Sequence, residues 1–216
     1  MKIKHVVFDW DGSLVNTYPV LSAAYVHAFN SLNMNPLPYE EIKKITSTVP
    51  NKDVLECLFG SKKDNARSFF YDYIDKHHAA KLEAMPNAQK LLDFCAQNDI
   101  KCYIVTNKKR KYFLEESNKL NFTKYFTSVV TAGDFAEDKP HPVATHAVFG
   151  YEIPDSETIL IVGDGMADYK TARTYDRHNK KTKCIIYDPS NKYNGPKPDY
   201  TISDLSNVID ILKENK

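Results

Sequence analysis

Residues 159–162 are Ile-Leu-Ile-Val, four consecutive apolar positions inside the run 158–163. A strand with one face in water alternates polar and apolar side chains, so an unbroken apolar run indicates a strand that is buried on both faces. Other apolar runs of strand length share the chain with this one, and they lie at 3–8, 100–106, 126–131 and 182–187, with a weaker run at 199–202.

Segments with helical spacing separate these runs from residue 86 onward. Apolar residues recur at i, i+3, i+4 and i+7 in two places, and these are Ala88, Leu91, Leu92 and Cys95, then Leu205, Val208, Ile209 and Leu212. Strands that alternate with helices are typical of a parallel sheet covered by helices on both faces. We therefore predict an α/β fold for this part of the chain.

Residues 14–85 interrupt the alternation, because they contain no run of strand type and three stripes of helical spacing. We predict that they form a helical domain inserted after the first strand. The α/β core then consists of residues 1–13 and 86–216, and the hinges lie near residues 13–16 and 84–87.

Charge and composition exclude several classes of function. The 216 residues include 29 Lys and Arg against 28 Asp and Glu, so no overall field attracts nucleic acid or a membrane surface. We interpret the basic runs 108–111 and 177–183 as a solvated helix start and a solvated loop. We expect no signal peptide and no membrane-spanning stretch, and the four cysteines lack zinc spacing. We expect a cytoplasmic protein with free, mostly buried thiols.

Two acidic residues follow the first strand in the sequence Phe-Asp-Trp-Asp-Gly-Ser. Side chains two apart in an extended chain share a face, so Asp9 and Asp11 can converge while Trp10 points away. Ligand sites of open parallel sheets lie beyond the carboxyl ends of the strands, which is where this pair falls. The alternative is a solvent-exposed turn.

A second acidic pair follows the run 158–163. Asp164 ends that strand, and Asp168 lies one helical turn further on. Either of them could instead cap the next helix. Three or four carboxylates at one sheet edge favour a hard divalent cation, with Mg²⁺ the best match.

Two further segments supply groups that could bind an anion. Thr106 offers a hydroxyl at a strand end, where the amide of Asn107 can also face a ligand. Lys139, in the sequence Asp-Lys-Pro-His-Pro, can balance the acidic residues. An exposed loop lysine is the ordinary interpretation of such a residue taken alone.

The four segments FDWDGS, VTNK, DKPHP and VGDGMAD, in this order, resemble the four motifs of the haloacid dehalogenase (HAD) superfamily, in its phosphoglycolate-phosphatase-like and β-phosphoglucomutase-like branch with a helical cap. The resemblance covers essentially the whole chain. It implies a Rossmann-like three-layer core with an inserted helical-bundle cap. It also implies a Mg²⁺-dependent phosphatase acting on a small phosphorylated metabolite, as a monomer or homodimer.

The resemblance also implies roles for single residues. Asp9 is the expected nucleophile and Asp11 the general acid and base. The expected phosphate ligands are Thr106, Asn107 and Lys139, and the expected metal ligands are Asp9, Asp164, the backbone carbonyl of Asp11, and Asp168, which completes or orients the shell. The expected specificity loop of the cap contains Thr46, Ser47, Thr48, Asn51 and Lys52.

Two alternatives stay open. A sugar phosphomutase of the same superfamily uses the same aspartate pair and returns the phosphoryl group to a sugar. A HAD-fold protein without catalytic activity could act as a binding partner, although five matching site residues argue against it. A dehalogenase is disfavoured because those relatives lack the second aspartate.

Overall fold

A computed structural model describes residues 3–49, 53–80, 82–149, 153, 157–176 and 181–215. The chain divides into two compact units. The first comprises Met1–Asn16 and Glu83–Lys216, and the second comprises Thr17–Leu82.

The first unit contains a six-stranded parallel sheet, whose strands are β1 (Ile3–Phe8), β4 (Lys101–Lys109), β5 (Phe126–Ala132), β6 (Thr158–Gly163), β7 (Lys181–Tyr187) and β8 (Tyr200–Ile202). Their order in the sheet is β5-β4-β1-β6-β7-β8. All six residues of β6 are buried, as the unbroken apolar run predicts. The predicted α/β fold with a parallel sheet is therefore confirmed.

The helices of the first unit are α5 (Ala88–Gln97), α6 (Arg110–Lys119), α7 (Pro142–Phe149), α8 (Met166–Asp176) and α9 (Ser206–Glu214), with a short 3₁₀ helix at Thr123–Tyr125. The two stripes read from the sequence fall on α5 and α9. Their apolar positions are buried, so these helices turn their apolar faces inward as the spacing requires.

The second unit is helical throughout its described elements. It contains α1 (Tyr18–Ser31), α2 (Tyr39–Thr48), α3 (Val54–Phe59) and α4 (Lys63–His77), with a 3₁₀ helix at Gly60–Lys62. The long helices α1 and α4 pack against each other. Small buried residues (Ala24, Ala28 and Ala66) and aromatic pairs such as Phe29 with Phe59, 4.5 Å between centroids, form its interior.

Two short strands flank the second unit in the sequence. Strand β2 (Val15–Asn16) pairs antiparallel with β3 (Glu83–Ala84). Both belong to the first unit, so the helical unit begins and ends three residues inside the predicted bounds of 14 and 85. Two-residue strands are too short to leave an apolar pattern, which is why the sequence indicated only hinges here.

Three of the four free cysteines are buried, as expected, and Cys57 is exposed. In the described part of the chain, no helix combines the length and the apolar character needed to cross a membrane. Residues 177–180 of the second basic run lie outside the described residues. In the first run, Lys108 is buried, so the interpretation of that run as a solvated helix start is wrong at this position.

We expect Leu160→Ala to lower the free energy of unfolding by about 2–5 kcal/mol, because this fully buried side chain lies at the centre of β6 and its loss leaves a cavity. Leu114→Ala is the matched control, since Leu114 is 41% exposed, and a change within about 0.5 kcal/mol is expected there. Urea unfolding of both variants measures the difference. Equal effects would contradict the central position of β6 in the core.

Candidate active site

The carboxyl ends of β1, β4 and β6 meet at the point where the strand order reverses. Strand β1 lies between the other two, with Phe8 in register with Ile104 on one side and Val162 on the other. The amide of Asp9 continues the pairing by donating to the carbonyl of Val162 at 2.9 Å. Such a reversal leaves a crevice at the strand ends where ligands of α/β sheets bind.

A buried lysine joins two of the predicted acidic residues there. Nζ of Lys139 lies 2.8 Å from Oδ1 of Asp9 and 2.8 Å from Oδ1 of Asp168. Burial alone lowers the pKa of Lys139, but the carboxylates of Asp168 and Asp9 outweigh burial and raise it above its ordinary value. Lys139 is therefore a charged, buried group of the site, and the interpretation as an exposed loop lysine does not apply.

Asp168 holds the loop between β6 and α8 in place through hydrogen bonds. Its Oδ1 accepts a hydrogen bond from Lys139, and its Oδ2 accepts hydrogen bonds of 3.1 Å from the amides of both Asp164 and Gly165. This carboxylate lies so close to the strand end that a Cβ on Gly163 would come within 1.9 Å of its Cγ. Gly163 is thus required for space, and Asp168 is held by contacts on both oxygens.

Three carboxylates form a donor set that fits a hard divalent cation. Ligand oxygens of Asp9, Asp164 and Asp168 all lie within 4.8 Å of one another. Oδ1 of Asp9 is buried and, despite its ion pair with Lys139, accepts no well-aligned hydrogen bond from the described residues. Oxygen donors of this kind, with only one lysine against three acids, match the chemistry of Mg²⁺ binding.

The protein atoms around Asp9 disfavour its charged form. Burial is the largest cause of a rise in the pKa of Asp9 to about 7. Lys139 acts in the opposite direction, while Asp168 and Asp164 add to the rise. A divalent cation nearby would favour the ionised carboxylate.

The carboxylate of Asp11 has a different partner. Its Oδ1 lies 2.8 Å from Nζ of Lys108, a buried residue near the end of β4, and Nζ is also 3.1 Å from Oε1 of the fully buried Glu116. Burial alone lowers the pKa of Lys108, but Asp11 and Glu116 outweigh it and raise the pKa. Neither Lys108 nor Glu116 was identified from the sequence, because Lys108 begins a run of four basic residues that looks solvated.

The other predicted phosphate ligands also lie near the end of β4. Thr106 is buried, and its hydroxyl oxygen accepts a hydrogen bond of 3.3 Å from the amide of Lys108. The side chain of Asn107 donates to the carbonyl of Lys139 at 2.9 Å. Asn107 therefore ties the loop of Lys139 to β4.

The predicted specificity loop is only partly described. Residues Thr46, Ser47 and Thr48 belong to the last turn of α2, so the prediction that they lie in a loop is wrong. The amide of Val49 still donates to the carbonyl of Ile45 at 2.9 Å, which extends the helix through them. The other two residues of that prediction, Asn51 and Lys52, lie outside the described residues.

We expect Gly163→Ala to destabilise the protein by about 1–3 kcal/mol, because the new methyl group must displace the Asp168 carboxylate from its bonds. Gly165→Ala is the control, since a Cβ there is 4.0 Å from Oδ2 of Asp168, an ordinary contact. Thermal unfolding compares the two variants. A tolerated Gly163→Ala would show that the carboxylate is free to move.

Comparison with known proteins identifies the family of this chain. The profile of the haloacid dehalogenase-like hydrolase family matches residues 6–178. Pyrophosphatase PpaX of Oceanobacillus iheyensis is 26% identical over 217 residues, covering 100% of this chain and 99% of its own. Phosphoglycolate phosphatase of Vibrio parahaemolyticus is 24% identical over 97% of this chain and 96% of its own.

Solved structures show the same fold. The crystal structure of a predicted phosphoglycolate phosphatase from Haemophilus somnus has a TM-score of 0.82 at 20% identity, covering 98% of each chain. The Bacillus subtilis HAD-hydrolase YfnB, solved with bound magnesium, has a TM-score of 0.73 at 18% identity, covering 99% of this chain and 100% of its own. With a family profile that spans most of its length, the chain belongs to the haloacid dehalogenase-like hydrolase family and is an enzyme of the hydrolase class.

Proposed function

We propose that this hydrolase is a Mg²⁺-dependent phosphatase that acts on a small phosphorylated metabolite through an aspartyl-phosphate intermediate. The observation that carries the proposal is the buried Asp9 carboxylate, which is paired with Lys139 inside an acidic cluster at the end of the central strand. A carboxylate beside a cation in a site of low exposure suits attack on a negatively charged phosphoryl group.

The reaction divides into two displacements. In the first, a carboxylate oxygen of Asp9 bonds to phosphorus while the bond from phosphorus to the leaving oxygen breaks, and that oxygen takes the electron pair. In the second, water attacks the same phosphorus and releases the Asp9 carboxylate together with inorganic phosphate. Each displacement is easier than direct attack of water on the original ester.

Asp11 is proposed to move the proton in both displacements. It gives a proton to the leaving oxygen in the first and takes one from the attacking water in the second. Asp11 is separate from the nucleophile because it pairs with Lys108 and lies outside the cluster of carboxylates around Lys139. Asp9 and Asp11 thus have separate surroundings although only one residue lies between them.

Three groups are proposed to hold the oxygens of the transferred phosphoryl group. Lys139 supplies a buried positive charge, and the amide of Asn107 supplies a fixed dipole at the end of β4. The hydroxyl of Thr106 accepts one hydrogen bond from the chain and keeps its own proton to donate.

Asp9, Asp164 and the backbone carbonyl of Asp11 are proposed to hold the Mg²⁺ ion, with Asp168 orienting them from its braced position. When bound, the ion offsets the charge of the phosphoryl group and of the acids around it. The related YfnB protein was crystallised with magnesium bound, which supports this choice of ion.

The helical unit is proposed to act as the cap that selects the leaving group. In members of the family, caps close over the reaction and exclude water. The relatives named above are a pyrophosphatase and a phosphoglycolate phosphatase, so pyrophosphate and a phosphorylated carboxylic acid are the first substrates to test.

We expect the purified protein to release inorganic phosphate from at least one member of a panel of phosphorylated metabolites that includes both of these. Release should require Mg²⁺, stop with EDTA and return when Mg²⁺ is restored, because the acidic cluster needs a divalent counterion. Phosphate assay and chromatography of the products provide the measurement. An isomerised phosphate ester would identify a phosphomutase instead, and no turnover of any ester would favour a binding protein.

We expect Asp9→Asn to lower kcat by about 10³-fold or more, because an amide is a poor nucleophile. Asp210→Asn is the control, since Asp210 is an exposed residue on α9 with a side chain 65% exposed. Acid-quenched wild-type protein should also carry a phosphoryl group that hydroxylamine releases, and Asp9→Asn should not. Wild-type activity in Asp9→Asn would refute the assignment of the nucleophile.

A further inference from the structure

A second buried lysine lies next to the proposed general acid, and the proposed reaction gives it no task. The side chain of Lys108 is 7% exposed, and its ammonium group contacts Asp11 at 2.8 Å and Glu116 at 3.1 Å. Lysine rarely occurs at this burial unless its charge is paired. Through Lys108 and Glu116, Asp11 is connected to the interior of the first unit.

Glu116 continues the chain of contacts inward. It lies on α6, is fully buried, and accepts a 2.7 Å hydrogen bond at Oε2 from Nε1 of Trp10. Its Oε1 meets Lys108, so each carboxylate oxygen has a partner of the right sign. A buried carboxylate is costly unless it is bonded in this way, and such a group is therefore held in one place.

Trp10 fixes the inner end of this chain of contacts. The indole is fully buried and meets three phenylalanine rings edge to face, with centroid distances of 4.8 Å to Phe113, 6.3 Å to Phe122 and 6.2 Å to Phe126. Rings in this packing have little freedom to move. Residues 9–11 are thus held in two places, by the packing of Trp10 and by the ion pair of Asp11 with Lys108.

We propose that Lys108 and Glu116 are positioning residues that hold the Asp11 carboxyl group where, in its protonated form, it can give its proton to the leaving oxygen. The inference rests on the proposed function, in which Asp11 is the general acid. Proton transfer in the transition state requires a donor held within a fraction of an ångström of its place. Lys108 supplies the contact to Asp11, and Glu116 keeps Lys108 from turning towards solvent.

Leaving groups of different basicity separate positioning of the acid from a general structural role. The value of kcat/KM reports on the steps up to release of the leaving group, which an alkyl phosphate completes only with a proton from Asp11. The nitrophenolate released from p-nitrophenyl phosphate is a weak base and needs no proton. Lys108→Met should therefore lower kcat/KM for an alkyl phosphate substrate by about 10–100-fold and for p-nitrophenyl phosphate by less than about threefold.

Matched controls lie beside the two residues in the sequence. Lys109→Met and Glu115→Gln alter exposed neighbours and should leave both substrates unaffected. Trp10 is the only tryptophan, so its emission reports directly whether the interior around Glu116 is intact. If Lys108→Met fails to fold because Glu116 is left uncompensated, the double variant Lys108→Met/Glu116→Gln removes both charges and should show the same dependence on leaving group.

Asp11→Asn makes the test decisive. If Lys108 acts through Asp11, adding Lys108→Met to Asp11→Asn should lower the activity on the alkyl phosphate no further. A further loss, or an equal loss with both substrates, would overturn the positioning role and show that Lys108 binds phosphate or supports the fold. Failure of Asp11→Asn itself to show the dependence on leaving group would instead refute the proposed function.

Discussion

The ammonium group of Lys139 lies 2.8 Å from a carboxylate oxygen of Asp9 and 2.8 Å from one of Asp168, with all three side chains buried. In surroundings of low dielectric, such charges are stable only together, since removal of one leaves another unpaired. The contact orders the end of β1, the first turn of α8 and the loop before α7. Asn107 adds the end of β4, because its side chain donates to the Lys139 carbonyl. The contacts of Lys139 thus connect four segments that are distant from one another in the sequence.

The contact between Asp168 and Lys139 constrains the backbone of residues 163–165. Gly163 ends the most buried strand, and any larger residue would overlap the carboxylate that Lys139 holds. The amides of Asp164 and Gly165 then turn towards the same carboxylate rather than towards solvent. The carboxylate therefore replaces the hydrogen bonds that the loop cannot make within the sheet.

The fold and the site could be predicted best where a local sequence pattern determines the structure. Consecutive apolar residues defined β6 at both ends, and acidic residues placed directly after strands met at one edge of the sheet. The burial of Lys108 could not be predicted because its partner Asp11 lies 97 positions away in the chain, and no local pattern links Lys108 to either Asp11 or Glu116. The pairing of β2 with β3 could not be predicted for another reason, since two-residue strands are too short to leave an apolar pattern. The resemblance to the family places Thr46 in a loop, whereas α2 continues to Thr48.

Two lysines divide the acidic residues of this edge into groups with different surroundings. Asp9 shares Lys139 with a crowded set of carboxylates, an arrangement that needs further positive charge and suits a metal and a phosphoryl group. Asp11 and Glu116 both contact Lys108. Glu116 also accepts a hydrogen bond from the indole of Trp10, which packs among aromatic rings. A two-step phosphoryl transfer needs one carboxylate that attacks and another that moves protons. In the proposed mechanism, Asp9 and Asp11 can take these separate roles because two different buried lysines contact them, so the assignment depends on the lysines as much as on the aspartates.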